Sequence, residues 1–272
     1  MNNSFNSKLK NACEEKNNRL CIGLDINPKI DSDDESRIID YIGSFAKEII
    51  DATIEYCPIY KPNLAFYEKY GYKGVKVLET IVDHINGRAI TIADAKRGDI
   101  GNTTKRYASA IFEKMGFDSI TVSPYMGSDS IKPFIENKEK GAFVLCLTSN
   151  KSADDFQFIN YNGLTLYQKV AKVAAKLNSN DNIGLVVGAT KPEYMESIVD
   201  YSQGLNWLIP GIGAQGGDLE KSLLICKKSD KIGIINISRG ILSAGNGDIN
   251  DILNATIKYT NEIRKYIWTQ KN

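Results

Sequence analysis

The segment TIADAKRGDIGNT, residues Thr91 to Thr103, places several charged side chains directly after a short apolar run. If Ala89 to Ala93 is a buried strand, Asp94, Lys96 and Asp99 follow at its carboxyl end, where parallel α/β folds carry their chemistry. Residues two apart in a strand point to the same side, so Asp94 and Lys96 are expected to share a face. Asp99 comes after a glycine, on a loop that can turn elsewhere. Taken alone, such a charged run fits a solvated turn better, and the rest of the chain reverses that preference.

Apolar runs of strand length alternate with helical patterns along the whole chain. The predicted strands are Leu20–Asp25, Pro58–Asn63, Ala89–Ala93, Ser119–Ser123, Ala142–Leu147, Ile183–Val187, Asn206–Ile209 and Ile232–Ile237. The predicted helices between and after them are one across Ile38–Ile49, then Val75–Ile85, Thr103–Met115, Asp129–Glu136, Leu164–Leu177, Pro192–Tyr201, Leu219–Lys227 and Ile249–Ile267. An amphipathic helix over Ser4–Lys16 comes before the first strand.

Eight strand–helix units in 272 residues, with strands that are nearly continuous apolar runs, are typical of a (β/α)8 TIM barrel. A doubly wound open sheet is the alternative. We predict one domain over residues 1–272, with residues 1–19 as a helical extension that plugs or flanks the barrel. Residues 150–162 are too many for a routine loop, so we expect a mobile or lid-like insertion over the mouth.

Composition excludes several classes of partner. The net charge of +1 leaves no electrostatic footprint for nucleic acid or an anionic membrane. The five cysteines are scattered and lack a C-x-x-C pair, which argues for reduced thiols rather than a disulfide framework or a zinc site. We find no signal peptide and no apolar run long enough to span a membrane, so we expect a cytosolic protein.

The only histidine, His84, lies at the polar end of a predicted helix. A solvated or capping role fits that position better than a catalytic one. Because Ser-His-Asp catalysis, Cys-His catalysis and histidine-rich metal sites would all depend on this one residue, acid–base work is expected to fall to Asp, Glu, Lys or Tyr.

Two loops near the end of the chain predict a phosphate site. Pro210–Asp218 follows the seventh predicted strand and is rich in glycine, and Ser238–Gly240 follows the eighth. Loops at these positions of a barrel often bind phosphate, because glycines let backbone N–H groups approach the anion. Arg239 supplies a planar guanidinium that matches phosphate oxygens, and Gln215 can donate its amide. The expected ligand is a small phosphorylated molecule.

Gly211, Gly213 and Gly216 also match the dinucleotide fingerprint G-x-G-x-x-G. That fingerprint expects an acidic residue at the end of the next strand. Here the next strand ends in Ser238 and Arg239, so the phosphate interpretation is preferred.

Acids and bases alternate at the ends of the first three predicted strands: Asp25, Lys61, Asp94 and Lys96. Mutual pairing would keep all four charged in a pocket of low dielectric. Such fixed charges can stabilise a carbanion and then protonate it. No metal-ligand cluster, flavin motif or pyridoxal signature accompanies them in the sequence.

The chain resembles the orotidine 5'-phosphate decarboxylase family, in the variant with a D-A-K-R-G-D-I-G motif and longer loops. The similarity covers nearly everything from Leu20 to Gly240. It is carried by Gly23–Asp25, Lys61–Asn63, Asp94–Thr103, Ser123–Gly127, Pro210–Gly217 and Ser238–Gly240. The combination is specific, whereas the Asp-x-Lys-x-x-Asp core is shared with relatives that act on other sugar phosphates.

The resemblance implies conversion of orotidine 5'-monophosphate (OMP) to UMP and CO2, the last step of de novo UMP biosynthesis, without a cofactor or metal. Lys96 would protonate C6 of the pyrimidine after CO2 leaves, and Asp94 would face the departing carboxylate. Lys61 would complete the charge network and contact the ribose together with Asp25.

The resemblance further implies a homodimer, in which Asp99 and Thr103 reach the partner's site. Ser149, or its neighbour Thr148, would read the pyrimidine edge. The remaining substrate contacts would come from Pro210, Gln215, Arg239 and Gly240, with the phosphate held by the last three.

Two alternatives remain at the level of sequence. One is a related sugar-phosphate decarboxylase or synthase on the same barrel, which is expected to need magnesium and a ketose phosphate. The other is a barrel that binds a phosphorylated ligand and catalyses nothing.

Overall fold

The eight predicted strands all form, and they pair in parallel around a closed barrel. In the computed structural model, which describes residues 3–28, 34–213 and 216–267, the strands are β1 (Leu20–Gly23), β2 (Ile59–Lys61), β3 (Ile90–Arg97), β4 (Ser119–Val122), β5 (Gly141–Leu147), β6 (Ile183–Val187), β7 (Asn206–Pro210) and β8 (Gly233–Ile237). Each strand pairs with the next, and β8 pairs with β1 in the register Leu20 to Ile235. This closure confirms the TIM barrel and excludes the open sheet.

Helices cover the outside of the barrel and its amino-terminal end. They are α1 (Phe5–Glu15), α2 (Glu35–Thr53), α3 (Ala65–Glu68), α4 (Gly71–Ile85), α5 (Gly101–Ser109), α6 (Leu166–Leu177), α7 (Pro192–Glu196), α8 (Leu219–Lys228), α9 (Arg239–Leu242) and α10 (Ile249–Ile267). The longer ones bury one apolar stripe, as α2 does with Ile39, Ile42 and Ile49. The short helices α3 and α9 were not expected from the sequence.

Two predicted helices are replaced by shorter helical turns in the structure. The helix expected over Asp129–Glu136 is instead a pair of short 3-10 turns, Ser128–Ser130 and Lys132–Phe134, and the proline in the second turn has no N–H to continue a helix. The helix expected over Pro192–Tyr201 stops at Glu196, and a 3-10 turn follows at Val199–Tyr201.

The helix expected from Leu164 begins two residues later. Leu164–Thr165 instead pairs antiparallel with Asn160–Tyr161. Thr165 then starts α6 with a capping box, in which the backbone N–H of Thr165 donates to Gln168 Oε1 at 3.0 Å. Farther up the chain, α5 begins at Gly101 and continues as a π-helical turn over Ala110–Lys114.

Helix α1 closes the amino-terminal end of the barrel. Phe5 and Leu9 are fully buried and pack with the inward-facing side chains of the strands, such as Ile92 and Phe143. The rings of Phe5 and Phe143 meet edge to face, with centroids 5.9 Å apart. Because this end is filled, the space that remains lies at the carboxyl ends of the strands.

The five cysteine thiols are free and buried. Burial raises the pKa of Cys13, Cys57 and Cys226 to about 12, so these thiols stay protonated at neutral pH. Among the described helices, none is long and apolar enough to cross a membrane. The cytosolic location stays a prediction.

Candidate active site

Asp94 lies between two lysines at the carboxyl end of β3. Its Oδ2 accepts from Lys61 Nζ at 2.8 Å, and its Oδ1 accepts from Lys96 Nζ at 2.5 Å. The hydroxyl of Thr121, on β4, donates to the same Oδ1 at 3.0 Å. Lys61 ends β2, so three neighbouring strands deliver the groups of this network.

The backbone of β3 departs from a regular strand at Lys96. Lys96 has a φ of +47°, in the left-handed region that lysine rarely adopts, and the pairing with β4 shifts register between Ala93 and Arg97. The Lys96 N–H donates to Thr121 Oγ1 at 3.0 Å, and Ser123 N–H donates to the Arg97 carbonyl at 2.8 Å. Asp94 and Lys96 do meet, as the sequence predicted, but through an irregular strand rather than through a regular pleat.

Burial and pairing set the charge state of the network. Burial favours the neutral form of Asp94, but Lys61 and Lys96 outweigh it and lower the pKa of Asp94 to about 2. Burial opposes the charge of Lys61 as well, and the carboxylates of Asp94 and Asp25 outweigh it and raise the pKa of Lys61 above its ordinary value. Lys61 and Asp94 therefore form a buried ion pair that stays charged at neutral pH.

The network lines a cavity of about 340 Å³ at the carboxyl end of the barrel. Of the predicted site residues, the structure brings together around it Asp25, Lys61, Asp94, Lys96, Thr148, Ser149, Pro210, Arg239 and Gly240. The two predicted regions, one charged and one glycine-rich, thus share one space. Apolar side chains such as Leu145 and Val186 complete its floor.

Asp99 and Thr103 do not line this cavity within one chain. Asp99 is half-buried and accepts from the Ile100 N–H at 2.8 Å, and Thr103 is exposed in the first turn of α5. Gln215 lies outside the described residues. Its predicted contact with phosphate stays a prediction.

Close backbone contacts are found in both the β7 loop and the β8 loop. In the β7 loop, Gly217 N–H donates to the Gly211 carbonyl at 2.9 Å, so the chain folds back on itself. In the β8 loop, a Cβ on Gly240 would lie 2.8 Å from the hydroxyl of Tyr259, on α10. A side chain at this position would require the Tyr259 ring to shift, and both Arg239 and Gly240 line the cavity.

Several cavity residues were missed by sequence reasoning, above all Thr121 and Asn236. Both interrupt short apolar strands, and both are buried, at 1% and 8% exposure. A polar residue within a strand that is otherwise apolar was the signal that could have found them, because an interior position needs a hydrogen-bond partner or a ligand.

Two polar oxygens at the cavity are buried and have no hydrogen-bond partner among the described residues: Asp25 Oδ1 and Ser238 Oγ. Both residues line the cavity. A buried acceptor without a partner is costly, so a bound molecule with hydroxyl groups would satisfy these oxygens.

His84 takes no part in the site. Its Nε2 lies 2.8 Å from Asp51 Oδ1, in a pair between α4 and α2 on the outer surface. This agrees with the solvated role predicted for it. Within residues 3–28, 34–213 and 216–267, no group of three His, Cys, Asp or Glu side chains is arranged to hold a metal ion.

A closed βα barrel with a charged, phosphate-compatible cavity at its carboxyl end has the architecture of a barrel enzyme for a small anionic substrate. Comparison with known proteins narrows this class. Residues 18–248 match the Orotidine 5'-phosphate decarboxylase / HUMPS family. The chain belongs to this family.

Relatives in sequence and in structure agree with that assignment. An orotidine 5'-phosphate decarboxylase of Dehalococcoides mccartyi (strain BAV1) is 46% identical over 248 residues, covering 89% of this chain and 90% of that protein. The solved structure of Leishmania donovani OMP decarboxylase is 34% identical, with a TM-score of 0.82 over 97% of this chain and 98% of that one. Leishmania donovani UMP synthase is 36% identical with a TM-score of 0.85, and this chain spans 56% of its length.

Acid is expected to weaken the fold through Asp94. The lowered pKa means that the stability supplied by ionised Asp94 is fully present above its ordinary value of 3.8 and is lost as pH falls through about 2. That contribution is roughly 2 kcal/mol. Urea unfolding of the wild type and of Asp94→Asn should therefore differ more at pH 5 than at pH 3.

The matched control is Asp51→Asn, which removes a carboxylate that is 56% exposed on the surface. Its difference from the wild type should stay small at both pH values. An Asp94→Asn difference that is the same at pH 5 and pH 3 would contradict the assigned pKa.

Proposed function

We propose that the cavity binds OMP and that this chain decarboxylates it to UMP and CO2, in the last step of UMP biosynthesis. The observation that carries the proposal is the presence of the Lys61–Asp94–Lys96 network and Arg239 around one cavity. Membership of the family and the names of its relatives agree with it.

Lys96 is the proposed proton donor. When the bond between C6 and the carboxylate breaks, CO2 leaves and the electron pair stays on C6. The ammonium of Lys96 stabilises this charge and then gives one proton to C6, which leaves a neutral amine. The Lys96 side chain is 50% exposed, so the amine can regain its proton from solvent.

Asp94 and Lys61 set the electrostatics of that step. Asp94 stays ionised and holds the ammonium of Lys96 by a 2.5 Å contact. Lys61 stays protonated on the other oxygen of Asp94, which fixes the orientation of the carboxylate before substrate enters. A pre-oriented charge network lowers the reorganisation needed during the reaction.

The rest of the cavity suits the parts of a nucleotide. Asp25, with its unpartnered Oδ1, and Lys61 would bind the ribose hydroxyls, and the Thr148–Ser149 segment would meet the pyrimidine edge. Arg239, the Gly240 N–H, Gln215 and Pro210 would surround the phosphate. Binding of the phosphate contributes energy remote from C6, which helps to position the base.

We further propose a homodimer in which Asp99 and Thr103 complete the partner's site. Both lie outside the cavity of their own chain, around the start of α5. Large apolar side chains are exposed around α5 and on the loop after β4: Ile100 at 55%, Tyr107 at 37%, Tyr125 at 82% and Met126 at 44%. Exposed apolar groups of this size are typical of protein interfaces.

Turnover can be tested by ultraviolet absorbance with OMP in the presence of a chelator. The wild type should consume OMP and form UMP. Lys96→Ala should lose turnover by about 10³-fold or more, because it lacks the proton donor, while still binding UMP. Thr148, Ser149 and Arg239 are intact in this variant, so calorimetric binding of UMP shows that the cavity is preserved.

No change of OMP absorbance with the wild type would overturn the proposed function. Normal turnover by Lys96→Ala would leave the function standing and would remove Lys96 as the donor.

Arg239→Ala should mainly weaken substrate binding. Losing a charge-assisted contact with phosphate is expected to raise KM at least tenfold, with a smaller effect on kcat. Steady-state kinetics of this variant should be compared with those of Arg88→Ala, which removes an arginine that pairs with Asp51 on the surface. If Arg239→Ala keeps the wild-type KM, the phosphate does not bind at this loop.

Mixing two inactive variants tests the shared site. In a mixed dimer of Lys96→Ala and Asp99→Ala, one site has both Lys96 from its own chain and Asp99 from the partner. Activity should therefore return when the two proteins are unfolded and refolded together, but not when each is refolded alone. Mixed dimers can be isolated with two affinity tags. If the isolated mixed dimers have no activity, Asp99 acts within its own chain or not at all.

A further inference from the structure

We propose that Gln157 is a positioning residue for base recognition, which fixes the Thr148–Asn150 segment so that the site selects a nucleotide over a simple sugar phosphate. This inference rests on the proposed function, since it assigns the segment to the pyrimidine. Gln157 itself does not line the cavity. It lies in the insertion between β5 and α6, for which the sequence suggested only a lid.

The side-chain amide of Gln157 holds Thr148 at two points. Gln157 Oε1 accepts from the Thr148 N–H at 2.9 Å, and Gln157 Nε2 donates to Thr148 Oγ1 at 2.7 Å. Thr148 Oγ1 in turn donates to Asn150 Oδ1 at 2.6 Å. Two bonds from one planar group fix both the position and the rotation of the residue they hold.

These bonds indicate different roles for Thr148 and Ser149. The N–H and the hydroxyl of Thr148 are both engaged by protein groups, so Thr148 acts as an anchor. Ser149 is the next residue, it is exposed, and it lines the cavity. We therefore assign contact with the base to Ser149 and not to the Thr148 hydroxyl, which resolves the choice that the sequence left open.

Gly188, directly after β6, also contacts the segment. Gly188 N–H donates to the Leu147 carbonyl at 2.8 Å. A Cβ at Gly188 would lie 3.1 Å from Ser149 N and 3.4 Å from the Thr148 carbonyl carbon. The Thr148–Ser149 peptide thus lies close to the Gly188 backbone, and Thr148 is also hydrogen-bonded to the Gln157 amide.

Gln157 is itself held rigidly enough to act as an anchor. Its N–H donates to the Ala153 carbonyl at 2.8 Å, and its carbonyl accepts from Tyr167 N–H, in the first turn of α6, at 3.1 Å. The next residue, Phe158, packs its ring edge to face against Tyr167 and Tyr194, with centroids 5.4 and 4.8 Å apart. The part of the insertion around Gln157 is therefore fixed by backbone hydrogen bonds and by aromatic packing.

Two ligands separate this role from a general structural one. UMP carries a base, a ribose and a phosphate, whereas ribose 5-phosphate carries the sugar and the phosphate but no base. Gln157→Ala should weaken UMP binding about tenfold, because Thr148 loses the two hydrogen bonds that order it. The same variant should change ribose 5-phosphate binding by less than about twofold. Isothermal titration calorimetry with both ligands measures this, and OMP kinetics should show a matching rise in KM.

Gln168→Ala is the matched control. The Gln168 amide likewise makes two hydrogen bonds, accepting from the Thr165 N–H and donating to the Ser197 carbonyl, but Gln168 lies outside the cavity. It should lose thermal stability comparably and bind both ligands as the wild type does. Gly188→Ala would place a Cβ 3.1 Å from Ser149 N, so we expect it to shift the same segment and to reproduce the selective loss of UMP. This variant serves if Gln157→Ala does not fold.

The outcomes are distinct. Equal weakening of UMP and ribose 5-phosphate, or unchanged UMP binding by Gln157→Ala and Gly188→Ala, would overturn the positioning role while leaving the proposed function intact. A wild-type protein that neither turns over OMP nor binds UMP would overturn the proposed function, and this inference with it.

Discussion

The ion pair between Lys61 and Asp94 is the interaction on which the carboxyl end of the barrel depends. Two opposite charges, 5% and 11% exposed, meet at 2.8 Å where β2 and β3 end. Removing either partner would strand the other charge in a place that water barely reaches, at a cost of about 3 to 5 kcal/mol. The barrel tolerates this pair because Thr121 and Lys96 bind the same carboxylate, so each oxygen of Asp94 has a donor. The same ion pair lies at the centre of the chemistry proposed for the cavity.

The two ends of the barrel differ in character: the amino end is a packed apolar core, and the carboxyl end carries the polar cavity. At the amino end, α1 fills the interior with Phe5 and Leu9, and the contacts there are apolar and tightly packed. At the carboxyl end, the loops after β5, β7 and β8 surround the cavity with polar groups. This separation is common to βα barrels, since strand ends and loops can vary without disturbing the interior layers. This separation explains why the charged residues of the cavity follow directly on apolar strand segments.

Much of this architecture could be predicted from the sequence, because buried parallel strands are continuous apolar runs whose ends are marked by polar residues. Asp25, Lys61, Asp94 and Lys96 were found in that way, and they do share a cavity. The bulge at Lys96 could not be predicted, since it depends on a bond to Thr121 from the neighbouring strand. Gln157 was missed for a similar reason: its partner, Thr148, is nine residues away, and nothing in the local pattern links them. Asp99 lies outside the cavity of its own chain, and the role proposed for it depends on a second chain.

The left-handed backbone at Lys96 has a consequence for how this protein responds to change. A lysine with a φ of +47° pays a conformational penalty that glycine or asparagine would avoid. Selection of variants for stability alone would therefore favour replacing Lys96, the proposed proton donor. At residue 96, a substitution that relieves the backbone would stabilise the fold but remove the proposed activity, and the positive φ in the bulge is the sign of this trade-off.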